Sequence, residues 1–220
     1  VKALLVDLDG TIMDSASGII RAYRHTLSLM GLEPPEAQEL RWVVGPPARS
    51  SFPKLLGDGH DIENAVRLYR EHYAEHGLRD AEVYAGMPEA LATLRAMADR
   101  LLVCTAKPLP FACAVLNHFG MASFFDGIYG AEFDGRFDDK GELIAHVLDM
   151  EALVRDQSVM IGDRRNDIIA ASRNRLRSIG VTWGYGSPEE LTEAGATLLC
   201  DSAGDLPAKV RLALLPPDCS

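Results

Sequence analysis

The rhythm of apolar and polar positions changes twice along this chain. Between about Ser15 and Arg79 the apolar residues recur at helical spacing. The stretch GIIRAYRHTLSLMGL puts Ile19, Ile20, Tyr23, Leu27 and Met30 on one face, and IENAVRLYREHYAEHGL does the same with Val66, Leu68, Tyr69 and Tyr73. This pattern predicts a separate helical unit over residues 15–81, with its aromatic and methionine side chains packed inside. Between the two helices lies VVGPPARSSF, whose Gly45, Pro46 and Pro47 cannot continue a helix and predict an exposed loop.

From Tyr84 onward, short apolar runs alternate with helical stretches: RLLVCT, PFACAVLNHFGM, FDGIYG, KGELIAHVLDM, SVMIGD, RNDIIAASRNRL, RSIGVTW and ATLLCD. Such alternation builds βα units and a parallel sheet covered by helices on both faces. The opening run ALLVDLD joins the same sheet. The expected architecture is a doubly wound α/β core over residues 1–14 and 82–220, with the helical unit inserted after the first strand.

Composition narrows the class further. The 220 residues are 47% hydrophobic and 25% charged, with a formal net charge of -10. An acidic chain of this kind speaks against a general nucleic-acid surface or a polybasic membrane anchor, and an anionic substrate would need a local basic pocket. No apolar run reaches membrane-spanning length, and ALLV before Asp7 is too short for a signal peptide. The four cysteines, Cys104, Cys113, Cys200 and Cys219, follow no paired metal spacing. Reduced thiols in a cytoplasmic protein, as monomer or homodimer, are the expectation.

The polar residues fall where such a sheet binds ligands. Three predicted strands end in Asp7, Thr105 and Asp163, and the crevice beyond the carboxyl ends of parallel strands would bring them together. Asp7 and Asp9 in DLDGT repel each other, so something must offset their charge. A magnesium ion would do so, held by Asp7, Asp9 and Asp163 together with a backbone carbonyl. Asp7 can then attack phosphorus as a nucleophile, while Asp9 protonates the leaving alcohol and later activates water. Thr105 and the N–H of Ala106 would donate to the phosphoryl oxygens, and Lys140 would supply positive charge, with Lys107 a weaker candidate for that role. Gly10 provides a tight turn, Thr11 holds the loop by local bonding, and Asp167, four residues after Asp163, would orient the metal's surroundings. Arg164 and Arg165 are compatible with pairing to these acids or with facing solvent.

Other signals have plain structural readings, a charged helix face around His72 and His76 among them. His72 and His76 have helical ligand spacing but no third partner, Cys104 sits inside an apolar strand, and WGYGS is a Gly-rich turn without dinucleotide-binding spacing.

The segments DLDGTIMDS, CTAKP, DDKGELI and IGDRRNDIIAA, in this order, resemble the four motifs of the haloacid dehalogenase superfamily. The resemblance is to its phosphoglycolate-phosphatase-like members with a helical cap, and GPPARSSF and GVTWGYGSPEEL are similar to further segments of that subgroup. It implies a Rossmann-like core, magnesium dependence, Asp7 as nucleophile, Asp9 as acid/base, phosphate binding by Thr105 and Lys140, and metal binding by Asp163. Ala106 departs from the Ser or Asn often found at its position, which removes one side-chain donor. The expected substrate is a small phosphorylated metabolite, selected by Gly45, Pro46, Pro47 and Arg49. Two further enzymatic readings keep the core: a sugar phosphomutase, whose cap holds a second phosphate, and a phosphonate-cleaving enzyme, which would need Lys54 as a Schiff-base lysine. A catalytically silent binding protein is the reading from another class, and the intact acidic set speaks against it.

Overall fold

The computed structural model describes residues 1–215. The chain runs through β1 (Ala3–Val6), β2 (Met13–Asp14), α1 (Ala16–Leu29), α2 (Ala48–Leu56), α3 (Ile62–His72), β3 (Glu82–Val83) and α4 (Met87–Met97). It continues through β4 (Arg100–Pro108), α5 (Leu109–His118), β5 (Gly127–Ala131), α6 (Lys140–Met150), β6 (Ser158–Gly162) and α7 (Arg165–Arg173), and ends with β7 (Arg177–Val181), α8 (Pro188–Glu193), β8 (Leu198–Cys200) and α9 (Leu206–Ala213). Six strands form one sheet in the order β5-β4-β1-β6-β7-β8. Every pair in it is parallel.

Both faces of this sheet are covered, and the period of two along its strands shows how. Leu4, Val6, Leu101, Val103, Val159 and Ile161 point to one apolar cluster with α4, α5 and α9. Their neighbours Ala3, Leu5, Leu102, Cys104 and Met160 point to another with α6 and α7. Strand β1 lies between β4 and β6, so the connections diverge on either side of it. The carboxyl edge there is the crevice that such sheets offer to ligands.

β2 and β3 pair antiparallel, Met13 with Val83 and Asp14 with Glu82, so the chain leaves the sheet and returns to it at one place. Between them the helices build a third cluster on Ile19, Tyr23, Leu27, Phe52, Val66 and Tyr73, which Phe111 of α5 also joins. Met30, expected on those faces, is half-buried at its margin, whereas Leu68 is half-buried outside it.

Three features depart from the sequence pattern. VVGPPARSSF is not an exposed loop: Val43, Val44 and Phe52 are buried, and α2 begins directly after Pro47. Burial of Phe52 among Tyr23 and Tyr69 outweighs the weak helix propensity of this Ser- and Pro-rich stretch. β4 runs past Thr105 to Pro108, with a shift in pairing to β5 between those two residues. Helices α4, α8 and α9 each open with a proline in the first turn, a start signal that alternation alone does not reveal. Cys104, Cys113 and Cys200 are free thiols, and Cys219 lies outside the described residues. No described helix is long and apolar enough to cross a membrane.

Candidate active site

The last residues of β1 and β6 lead straight into the acidic loops. Asp7 follows Val6 and is fixed by donating its N–H to Ile161 at 2.9 Å, which ties the two strand ends together. Gly10 then turns the chain with φ +86°, and a side chain there would collide with Asp163 and Tyr185. Only glycine combines that conformation with so close an approach. The outcome is that Asp7, Asp163 and Asp167 each bring a carboxylate oxygen within 4.8 Å of one another, all three buried.

Lys140, the first residue of α6, reaches this group from the side. Its ammonium lies 2.8 Å from Asp7 and also pairs with Asp167. Burial opposes its charge, yet the carboxylates of Asp167 and Asp7 outweigh that and hold it above the ordinary lysine range. The acids feel burial more than compensation. Asp7 is pushed up to about 6 by desolvation, against the pull of Lys140. Asp163 is held well above the carboxylate range by desolvation first and then by the charges of Asp167 and Asp7. Three desolvated carboxylates with one ammonium leave negative charge uncompensated, a donor set of hard oxygens that suits a small divalent cation.

Asp9 does not join this group. Its carboxylate accepts from Lys107 at 2.8 and 3.0 Å and from the Ser15 hydroxyl. The side chain expected among the metal ligands is therefore turned toward a buried lysine, and Asp167, expected one layer out, stands in the cluster instead. Asp167 also accepts the N–H of Arg164 at 3.0 Å, which caps the start of α7. Thr11 donates to Asp163 at 3.3 Å, across the loop it was expected to hold. Thr105 is buried beneath the edge and accepts the N–H of Lys107 at 3.2 Å, whereas Ala106 faces the open cavity.

That cavity, about 490 Å³, has Asp7, Ala106, Lys140 and Asp167 on the sheet side and Gly45, Pro47 and Arg49 on the helical side. A smaller inner cavity of about 50 Å³ continues between Asp9, Lys107, Pro46 and Tyr73. All four residues expected to select substrate thus line the space between helices and sheet. Arg49 is nonetheless occupied: it pairs with Glu63 at 2.7 Å and donates to the Phe133 carbonyl at 2.8 Å. Arg70 donates to the same carbonyl at 2.7 Å. Arg164 pairs with Glu190 at 3.0 Å and donates to the Val44 carbonyl at 2.7 Å, so it neither neutralises the acids nor faces open solvent.

Lys54 is exposed, with its ammonium 5.5 Å from the Trp42 ring centroid, and lines neither cavity. A Schiff-base role at this site has no lysine in the helical unit to carry it, because Lys54 is the one lysine of residues 15–81. His72 stacks on His25 with centroids 3.9 Å apart and neighbours His76, yet among the described residues Asp7, Asp163 and Asp167 are the one group with metal-holding geometry. Sequence reasoning did not foresee that Lys107 pairs with Asp9, and it passed over Ser15 and Tyr185. The signals were present in DLDGTIMDS and WGYGS, but nothing in a linear pattern shows which loop they face.

Comparison with known proteins agrees with this geometry. Residues 4–181 match the family described as haloacid dehalogenase-like hydrolase. A 5'-nucleotidase of Pseudomonas aeruginosa is 39% identical over 198 residues, covering 90% of each chain. The tyrosine-protein kinase PtkA of Mycobacterium tuberculosis is 34% identical over 202 residues, covering 92% of this chain and 69% of the relative. The crystal structure of a predicted phosphatase from Clostridium acetobutylicum superimposes with a TM-score of 0.91 at 35% identity, covering 96% of this chain and 98% of the other. A family match spanning most of the chain, together with the acidic strand ends at its sheet edge, means that this protein belongs to the haloacid dehalogenase-like hydrolases.

Proposed function

We propose that the protein is a magnesium-dependent phosphatase that hydrolyses a small phosphomonoester, phosphoglycolate-like or related, through an aspartyl-phosphate on Asp7. The observation that carries this reading is the buried meeting of Asp7, Asp163, Asp167 and Lys140 at the floor of a cavity roofed by the helical unit. Residues 15–81 would serve as the cap, and the free thiols fit a cytoplasmic setting.

Asp7 and Asp163, with Asp167 beside them, would hold the magnesium ion, which supplies positive charge to the phosphoryl oxygens when bound. Lys140 adds a fixed positive charge next to the attacking carboxylate. An Asp7 oxygen attacks phosphorus, the bond to the leaving oxygen breaks, and Asp9 hands that oxygen a proton. Asp9, now a carboxylate, takes a proton from water, whose oxygen attacks the phosphorus and releases Asp7. The N–H of Ala106, a residue of the cavity wall, would donate to a phosphoryl oxygen. A second phosphate in the cap would have to displace the bonds of Arg49 and Arg70 to Phe133, which favours hydrolysis over a mutase reaction.

The test is release of a generic aryl phosphate with and without magnesium, alongside Asp7→Asn. The expected result is metal-dependent release by the wild type and a rate at least about 1,000-fold lower in the variant. Equal release by the two proteins, or release indifferent to magnesium, would overturn the proposal.

A further inference from the structure

The turn after β7 takes no part in those steps, yet it lies directly on the residues that do. Trp183 donates its indole N–H to the Thr11 carbonyl at 3.1 Å, and the Tyr185 N–H donates to Asp163 at 2.8 Å. Gly184 and Gly186 stand where any side chain would run into Gly10 or Asp163, so the glycines of WGYGS are there for close approach.

The phenol of Tyr185 reaches the other way. Its hydroxyl donates to the Asp14 carboxylate at 2.8 Å and accepts the Ser15 N–H at 2.8 Å. These two residues are the joint where β2 ends and α1 begins, the first crossing from sheet to helices. Ser15 in turn donates its hydroxyl to Asp9, and the Tyr185 ring packs against the apolar cluster of the helical unit. One residue therefore touches the loop of Asp163, the joint and, through Ser15, the carboxylate of Asp9.

We infer that Tyr185 is a positioning residue: its hydroxyl fixes the Asp14–Ser15 joint so that Ser15, beside Lys107, holds the Asp9 carboxylate in place for proton transfer to the leaving oxygen. The inference rests on the proposed role of Asp9 as the acid. Tyr185→Phe removes the hydroxyl and keeps both the ring and the N–H to Asp163.

Two measurements test it. Amide exchange at Ser15, read by nuclear magnetic resonance, needs no activity, and loss of one hydrogen bond should accelerate it about 3- to 10-fold in the variant. The second is kcat/KM, which reports events up to cleavage of the phosphate ester, for an alkyl phosphate and for dinitrophenyl phosphate. Alkoxide departure needs a proton and dinitrophenolate departure does not. Tyr185→Phe should therefore lower the alkyl value about 10-fold or more and the dinitrophenyl value less than about twofold, with Ser15→Ala showing the same selectivity and the double variant adding little. Unchanged exchange at Ser15 overturns the inference, and so does an equal loss for both leaving groups. Absence of wild-type turnover with either ester defeats the phosphatase reading instead, and the exchange measurement still decides the joint.

Discussion

Lys140 shows what a single buried charge does here. With its side chain 5% exposed and within reach of both Asp7 and Asp167, it is, among the described residues, the one cation inside the acidic cluster. Lys140→Met leaves three buried carboxylates with no counter-charge. Removing one partner of a buried ion pair costs about 3–5 kcal/mol, and urea denaturation in chelator should read a loss of that order. Added magnesium should restore part of it, because the cation replaces charge the lysine supplied. Cys104 is the contrasting case: it lies next to Thr105, but burial pushes its thiol up to about 12, so it stays protonated and inert at neutral pH. Neighbours in sequence thus differ in role because their side chains leave β4 on opposite faces.

The turns matter more than the regular elements in placing these groups. Gly10 and Gly31 both have positive φ, but only Gly10 is crowded, since a side chain at Gly31 meets nothing within 4 Å. Gly31→Ala should cost about 1 kcal/mol of backbone strain, and Gly10→Ala should cost more and also weaken magnesium binding, through displacement of Asp163. Thermal denaturation and a metal titration of the two variants check this ordering. Among the helices, α3 depends on Asp61, whose carboxylate accepts the Asn64 N–H at 3.0 Å. Asp61→Ala should lower stability by about 1 kcal/mol without affecting the site, as followed by circular dichroism and turnover.

Across the whole molecule, the helices and the sheet are joined by arginines that donate to backbone carbonyls: Arg164 to Val44, and Arg49 and Arg70 to Phe133. The cavity between them holds the group whose titration would govern pH dependence on the proposed mechanism. There Asp7 has to be ionised to attack, and burial raises its carboxyl to about 6 without metal. At limiting magnesium, kcat/KM should climb about tenfold per pH unit below that value, and the midpoint should move down as magnesium increases. The stability effect has the opposite sense. A carboxyl whose native value lies above its unfolded value of 3.8 binds its proton more tightly when folded, so stability falls as pH rises from about 4 through 6. In chelator, Asp7→Asn should gain on the wild type by an amount on the order of 2–3 kcal/mol across that window. A stability difference independent of pH would contradict the raised value.

The sequence by itself determined the α/β class, the insertion after the first strand and the convergence of Asp7, Lys140 and Asp163 at one edge, whereas Thr105 bonds to Lys107 and lines neither cavity. Parallel-strand topology makes those consequences of order and alternation: whatever ends a central strand must stand at the same rim. Only the tertiary structure decided which acid sits in the cluster and which beside a lysine, that the end of VVGPPARSSF enters α2 with Phe52 buried, and that Tyr185 touches Asp14 and Ser15 from about 170 residues away. Those outcomes depend on loop paths and on which side chain finds a buried partner first at hand, and such contacts between distant segments leave no period in the chain to be read.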